Sequence, residues 1–334
     1  MDSLSQLLLG AACTAACVPA RHRRAGLLVG AALGTLPDLD VIPLSFFDLD
    51  PVQQMTLHRG ASHSLFLLPL LALSIWALLR RWAPVREAPR AWLAGIALAL
   101  FTHPLLDALT VYGTQLVWPL QPHPAMWASL FIIDPLYTVP LLIGCALGWL
   151  LRHRPAGTRA VLAGLILSTG YIGWSLTAKA LVEREVERSL AGTGHEDAPR
   201  FSVPMPFQTL LWRVVVMTPD GFLEGERSLW ADTGPIRFRE YRSDVAALDA
   251  VRALPAVQRL LWFNRGFMKA EVREGQVVLS DLRMGAEPDY SFNFAVARVT
   301  EGGIEEIRPE PLSWPWQARR RLGEMWTRIW LQPL

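Results

Sequence analysis

The segment Phe101-Thr102-His103-Pro104-Leu105-Leu106-Asp107 places a histidine and a carboxylate four residues apart inside an otherwise apolar stretch. Residues i and i+4 lie on the same face of an α-helix, so His103 and Asp107 should project together. Ionisable side chains in such a helix cost free energy, and they are typical of functional sites. The pair therefore predicts a buried polar site in a helical, apolar part of the chain.

The composition indicates a membrane protein with room for a second domain. The chain has 334 residues, of which 51% are hydrophobic, and its mean hydropathy is +0.25. The net charge of +2 gives no electrostatic basis for binding nucleic acid, so no nucleic-acid partner is expected. The chain opens with Asp2 and has no basic segment before its first apolar run, so no cleavable signal peptide is expected. None of the three cysteines belongs to a Cys-x-x-Cys motif, which predicts neither a disulfide nor a thiolate metal site.

The apolar blocks predict a mainly α membrane-embedded bundle of about four to six helices in residues 1–191. The predicted helices cover residues 4–18, 25–36, 65–79, 91–109, 128–151 and 160–182. Asp2 or Ser3 is the predicted N-cap of the first helix. The first two helices are shorter than the roughly 20 residues that a span needs, which leaves open whether they cross the bilayer. Gly26, Gly30 and Gly34 form a stripe of small residues that either permits close helix contact or reflects the abundance of glycine in membrane helices.

Residues 192–206 are rich in Gly and Pro and are interpreted as a linker. A small α+β extramembrane domain is predicted over residues 207–334. Its strands include 210–218 and 222–230 around a Pro-Asp-Gly turn, and a hairpin over Glu274-Gly275. The amphipathic segment 319–330 is expected to cap this domain, with a position on the bilayer surface as the alternative.

The charged loops predict an orientation. Basic loops at 21–24, 80–90 and 152–159 would alternate with the loops 37–63 and 110–127, which carry the candidate site residues. The positive-inside rule then places the basic loops in the cytoplasm. The site and the C-terminal domain are therefore expected on the periplasmic, outer side of the membrane, with membrane lipids as neighbours.

Two further segments offer chemistry that matches the His103 and Asp107 pair, namely Pro37-Asp38-Leu39-Asp40 and His58-Arg59-Gly60-Ala61-Ser62-His63. Imidazole and carboxylate together suit zinc, manganese or iron. We therefore expect one to three divalent transition-metal ions, with zinc preferred. The alternative is a satisfied polar cluster that packs helices together. The predicted metal ligands are Asp2, Asp38, Asp40, His58, His63, His103 and Asp107.

Such a site suits hydrolysis, because bound ions activate a water molecule and stabilise the oxygens of a displacement. Arg59 is the predicted catalytic residue, placed to neutralise developing negative charge, unless it is an arginine at the membrane interface. Tyr112 and Gln115 are candidates for orienting ligands or for turn positions. Asp134 is either a further site residue or the N-cap of a helix.

Together these segments resemble the YdjM-type family of inner-membrane proteins, described as LexA-binding, metal-dependent hydrolases. The resemblance implies a multi-pass protein of the bacterial inner membrane, and LexA is suggested as a partner by the family description alone. Asp281 and Arg283 lie in a C-terminal segment that looks like a signature of the same family. There they either fold over the site or form a structural ion pair. The matching stretches are residues 1–6, 36–40, 58–64, 103–107, 112–119, 281–285 and 290–292.

The family is distantly similar to the zinc-dependent phospholipase C and P1 nuclease group. In that group a helical core holds a cluster of zinc ions and cleaves phosphoesters, and a His-x-x-x-Asp pair, matched by His103 and Asp107, supplies ligands. The His-x-x-x-Glu of that group has no counterpart in this sequence.

The leading hypothesis is a membrane-bound metal-dependent hydrolase in which a metal-activated water attacks a phosphoester. A lipid is the most economical substrate, because the site is expected near headgroup depth. The alternatives are a non-catalytic membrane protein with a structural His/Asp cluster and a partner-binding outer domain, or an ion transporter.

Overall fold

The structure is a computed structural model that describes residues 1–152, 154–313 and 318–332. His153, in the predicted basic loop 152–159, lies outside the described residues. The chain forms two compact units. The first consists of residues 1–43 and 58–175, and the second consists of residues 44–57 and 176–334.

Helices dominate the chain up to residue 190. Short 3-10 turns at Ala20–His22, Leu36–Asp40 and Ala61–His63 connect them. The described α-helices in this part are α1 (Ser3–Cys17), α2 (Arg23–Thr35), α3 (Val41–Leu44), α4 (Pro51–Leu57), α5 (Leu68–Leu79), α6 (Ala83–Glu87), α7 (Pro89–Ala108), α8 (Pro135–Leu150) and α9 (Pro155–Leu190).

Three helical segments among the described residues are long and apolar enough to cross a membrane: Ala20–Leu44, Pro89–Ala108 and Pro155–Leu190. The pair Pro51–His63 and Leu68–Leu79, bent by 61°, would make a fourth if it forms one broken span. α1 and α8 are apolar but shorter. The prediction of an apolar helical region followed by a domain with β-structure is confirmed.

Proline and aspartate explain where several helices begin. α7, α8 and α9 each start at a proline, which is tolerated in the first turn because the N–H groups there have no helical partner. α1 and α8 are each preceded by an aspartate whose carboxylate accepts hydrogen bonds from the first turn.

Glycines let α1 approach α2 closely. A Cβ atom added at Gly30 would lie 2.2 Å from the carbonyl oxygen of Gly10, and one added at Gly34 would lie 2.3 Å from that of Gln6. Real side chains cannot come so close, so these positions tolerate only glycine at this helix separation. The predicted stripe of small residues therefore serves helix contact.

The second unit contains two antiparallel four-stranded sheets. The first has the order β1 (Arg200–Pro204), β2 (Leu211–Thr218), β3 (Gly221–Ser228) and β4 (Phe238–Arg242). The second has the order β10 (Gly303–Pro311), β9 (Asn293–Thr300), β6 (Gln276–Asp281) and β5 (Met268–Arg273). A short ribbon pairs β7 (Gly285–Ala286) with β8 (Asp289–Tyr290), and the helices described after residue 190 are α10 (Val245–Val251), α11 (Pro255–Phe263) and α12 (Ala318–Trp330).

Two boundaries differ from the predicted ones. The predicted linker 192–206 contains β1, whose residues pair in register with β2. The second unit also begins inside α9 rather than after it, because a buried face of that helix packs against the first sheet. The residues of this core include Ala178, Val182, Val186, Leu190, Trp212, Val214 and Val216.

Candidate metal centre

Four side chains of the first unit bring one donor atom each to a common point. The Nε2 atoms of His63 and His103 lie 3.1 Å apart. Asp38 Oδ1 lies 3.4 Å and 3.3 Å from these two nitrogens, and Asp107 Oδ2 lies 3.1 Å and 3.5 Å from them. Four donors around one zinc ion, with bonds of about 2.0–2.1 Å, would stand about 3.3 Å apart. The group could therefore hold a metal ion.

Three separate segments position these donors. His103 and Asp107 lie on one face of α7 near its end, as the i, i+4 spacing predicted. Asp38 lies in the 3-10 turn that follows α2, and His63 ends the 3-10 turn after α4. His63, His103 and Asp107 are fully buried, whereas the side chain of Asp38 is 18% exposed. Asp38 thus marks the more accessible side of the cluster.

Hydrogen bonds orient both buried imidazoles through Nδ1. His103 Nδ1 lies 2.6 Å from the carbonyl oxygen of Gly34, to which it donates. His63 Nδ1 lies 2.8 Å from Ser62 Oγ, and the Ser62 hydroxyl donates its own proton to Asp40 Oδ2 at 2.7 Å. With Nδ1 engaged in this way, each ring turns Nε2 toward the other ring and toward the two carboxylates, so the arrangement can accept a cation between them.

Asp40 and His58, both predicted ligands, are not members of the four-donor group. Asp40 Oδ1 accepts a 2.7 Å hydrogen bond from His58 Nδ1, and Asp40 Oδ2 accepts from Ser62 Oγ and from the main-chain N–H of Arg59. His58 Nε2 lies 3.9 Å from Asp38 Oδ1. Residues two positions apart would face the same side in an extended segment, which would let both Asp38 and Asp40 serve as ligands. The 3-10 turn instead directs them apart, so Asp40 orients neighbouring groups.

Asp2 and Asp134 serve as helix caps in the structure. Asp2 Oδ1 accepts from the main-chain N–H groups of Leu4 and Ser5 at 3.1 Å, and its Oδ2 accepts from Ser5 Oγ at 2.5 Å. Asp134 accepts from Leu136 N at 3.0 Å and from the Tyr171 hydroxyl at 2.9 Å. The prediction of Asp2 as a ligand is thus corrected, because the helix N-terminus occupies its carboxylate. Asp134 is the N-cap of α8, which was one of its two predicted alternatives.

Arg59 lies directly beside the four donors. Its side chain is 4% exposed, and its Nε is 3.2 Å from Asp107 Oδ2. The guanidinium stacks over the ring of Tyr112 at 4.8 Å. Arg59 Nε and Nη1 make no hydrogen bond with any residue in the described part of the chain. A buried cation with unused donors therefore adjoins the cluster.

Gln115 contributes to this site through its main chain. Its N–H donates a 3.0 Å hydrogen bond to the carbonyl oxygen of Arg59, which holds the Arg59 loop against the segment 112–118. His58 and Tyr112 also meet edge to face, with ring centroids 5.9 Å apart.

The sequence reasoning missed Gln6 and Ser62. Gln6 Nε2 donates to Asp107 Oδ1 at 2.9 Å and to the main-chain oxygen of His103 at 3.1 Å. The α-amino group of Met1 also contacts Asp107 Oδ1. A glutamine within the apolar run of α1 was the available signal for Gln6. Ser62 offered no signal, because serine is common in turns.

Asp281 and Arg283 form an ion pair inside the second unit. Arg283 Nη2 lies 2.6 Å from Asp281 Oδ2, Arg283 Nε lies 2.9 Å from Asp281 Oδ1, and both side chains are 1% exposed. Arg283 Nη1 also donates to the main-chain oxygen of Phe263 at 3.2 Å. These contacts are those of a structural ion pair, which was one of the two predicted alternatives.

The first unit defines a helical membrane protein with a buried His/Asp cluster that could hold a metal ion. A sequence model of the family described as YdjM inner membrane protein matches residues 1–182. This is more than half of the chain, and the protein belongs to that family, as its motifs predicted. Neither the curated proteins nor the solved structures contain a significant match.

Proposed function

We propose that the protein is a membrane-bound, metal-dependent hydrolase that cleaves a phosphoester. One observation carries this proposal. Two buried histidines, each held through Nδ1, direct Nε2 toward two carboxylates, and a buried arginine with unused donors lies beside them. The buried Nε and Nη1 of this arginine, which make no hydrogen bond within the described residues, are suited to binding an anionic substrate group.

The donor set of two imidazoles and two carboxylates favours zinc, with manganese or iron as the next choices. When bound, a divalent ion lowers the pKa of a water molecule and polarises the bond under attack. His63, His103, Asp38 and Asp107 would hold this ion. Their separations suit one ion, and the described residues contain one such group.

The neighbouring residues supply binding and charge stabilisation. Arg59 presents Nε and Nη1 next to Asp107, where a planar guanidinium can bind the oxygens of a phosphoryl group. Asp40 holds Ser62, and through it His63, in a fixed orientation. His58 and Tyr112 lie next to Arg59 and Asp38, where they would contact the substrate.

A phospholipid or another membrane phosphoester is the substrate class that best suits a site in a membrane protein with these neighbours. The alternation of basic loops supports a periplasmic, outer position for the site, since Arg80 and Arg81 follow α5 at the opposite end from the preceding site loop. Membrane lipids are then the immediate partners.

The first test is the metal content of the detergent-purified protein, measured by inductively coupled plasma mass spectrometry. We expect near-stoichiometric zinc, manganese or iron in the wild type and its loss in the double variant His103→Ala/Asp107→Ala. Asp134→Asn is the matched control, because this buried carboxylate caps α8 outside the cluster. Circular dichroism would check that each variant is folded.

Two outcomes would overturn the proposal. A wild type that carries no metal after incubation with zinc and manganese would remove the metal centre. A wild type that binds metal but cleaves no phosphodiester lipid before or after chelation and zinc restoration would favour the non-catalytic alternative.

A further inference from the structure

The two carboxylate oxygens of Asp107 have different neighbours. Oδ2 faces His63, His103 and Arg59 at 3.1, 3.5 and 3.2 Å. Oδ1 accepts the 2.9 Å hydrogen bond from Gln6 Nε2 and also contacts the buried α-amino group of Met1. A carboxylate can rotate about its Cβ–Cγ bond, so a donor on one oxygen decides which oxygen faces the cluster.

Gln6 is itself fixed in place. Its side chain is buried, and Nε2 also donates to the main-chain oxygen of His103 at 3.1 Å. Within the described residues its Oε1 has no hydrogen-bond partner. An unpaired buried acceptor costs free energy. The hydrogen bonds that Gln6 makes with α7 therefore come from its Nε2 donor and not from Oε1.

The glycine contacts between α1 and α2 bring this donor to its position. A Cβ at Gly34 would collide with the main-chain oxygen of Gln6, so Gln6 lies at a close approach of α1 and α2. Gly34 in turn supplies the carbonyl oxygen that accepts from His103 Nδ1. The close contact of α1 and α2 thus positions Gln6 and the Gly34 carbonyl oxygen. These two groups hydrogen-bond to Asp107 and His103, the two predicted ligands of α7.

We propose that Gln6 is a positioning residue of the metal centre, which holds Asp107 so that Oδ2 faces the ion. This inference rests on the metal centre of the proposed function and is independent of the substrate. Loss of a hydrogen bond that orients a ligand typically weakens metal binding by about 10–100-fold. Gln6→Met preserves the size of the side chain and removes the donor. Gln6→Glu preserves its shape and replaces the donor with an acceptor facing Asp107.

The experiment measures the Kd for zinc of the full-length protein in detergent, by competition with a chromophoric chelator. We expect Gln6→Met to raise the Kd by about 10–100-fold and Gln6→Glu to raise it at least as much. The matched control is Thr14→Val. Thr14 is also a buried polar residue of α1 and donates to the main-chain oxygen of Gly95 in α7 at 3.1 Å, away from the cluster. Its Kd should equal that of the wild type.

Melting temperatures with excess chelator give a second readout that does not depend on bound metal. Similar melting temperatures of Gln6→Met and Thr14→Val in chelator, together with a smaller zinc-induced rise in the melting temperature of Gln6→Met, would support the role of Gln6 in positioning Asp107. Equal zinc affinity in wild type and both Gln6 variants would overturn this inference and leave the metal centre intact. Equal weakening by Thr14→Val would assign the effect to helix packing and also overturn it. Absence of zinc binding in the wild type would instead remove the centre itself.

Discussion

Arg59 adopts a left-handed backbone conformation, with φ of 61°, although it carries a long side chain. Such a conformation costs about 1–3 kcal/mol and persists where the surroundings hold it. The Arg59 N–H donates to Asp40 Oδ2, and its carbonyl oxygen accepts from Gln115 N. Both sides of the strained residue are thus anchored, and the strain places its guanidinium beside Asp107.

Replacing Arg59 with lysine tests the role of this guanidinium. Lysine keeps the positive charge but lacks the planar fork and the stacking over Tyr112. We expect Arg59→Lys to retain its metal and to lower kcat for a phosphodiester substrate by about 100-fold or more. Metal content and hydrolysis rate would be measured on the same preparation.

The matched control for this substitution is Arg24→Lys. Arg24 also stacks on an aromatic ring, with its guanidinium 4.7 Å from the centre of Trp149, but it lies outside the cluster. Its replacement should leave hydrolysis unchanged. Unaltered hydrolysis in Arg59→Lys would contradict a role for Arg59 in stabilising charge.

At the scale of elements, α1 has a larger role than its length indicates. It is too short to qualify as a span, yet it packs against both α2 and α7 and delivers Gln6 to the cluster. Glycine at the crossing with α2 makes this possible. The integrity of the metal centre should therefore depend on helix packing at a distance from the ligands.

Gly30→Ala tests this dependence. The new Cβ would lie 2.2 Å from the carbonyl oxygen of Gly10, so the helices must separate. We expect the free energy of unfolding to fall by about 1–3 kcal/mol, as in other overpacked cores, and zinc affinity to fall with it. Denaturant titration in detergent and the chelator assay would measure the two effects.

Gly170→Ala in α9 is the control for this change, since a Cβ there meets nothing within 4 Å. It should leave both quantities near their wild-type values. Alanine has the higher helix propensity, so Gly170→Ala by itself should not destabilise α9. An equal loss of stability in the two variants would therefore contradict the assignment of the Gly30→Ala effect to the close contact of α1 with α2.

At the scale of the whole molecule, the family match and the metal centre coincide. Residues 1–182 match the family, and all four donors lie within this range. The two-sheet unit after residue 176 forms its own core, with a buried Asp281 and Arg283 pair. The proposed metal-dependent hydrolysis is therefore expected to depend first on the helical unit.

The orientation of the helical unit can be measured by cysteine labelling in whole cells. In a background with Cys13, Cys17 and Cys145 replaced, single cysteines would be placed at the exposed positions Arg81 and Gln121. A membrane-impermeant maleimide should label position 121 in cells with a permeable outer membrane and position 81 only after lysis. The reverse pattern would place the site loops in the cytoplasm.

The sequence by itself determined the local features. The apolar blocks predicted the helical region, the i, i+4 spacing brought His103 and Asp107 to one face, and the short motifs identified the family. Such features follow from helix periodicity and composition, which act over a few residues. They did not distinguish Asp38 from Asp40 as a donor, because that depends on a 3-10 turn in place of an extended segment.

The tertiary structure decided how the donors converge. Gln6 meets Asp107 across 101 positions of the chain, and Gly34 meets His103 across 69. It also assigned residues 44–57 and the last part of α9 to the second unit. The physical reason is that side chains distant in sequence become neighbours only when helices pack. Close packing of α1 and α2 is a property of two surfaces together, which neither helix sequence specifies alone.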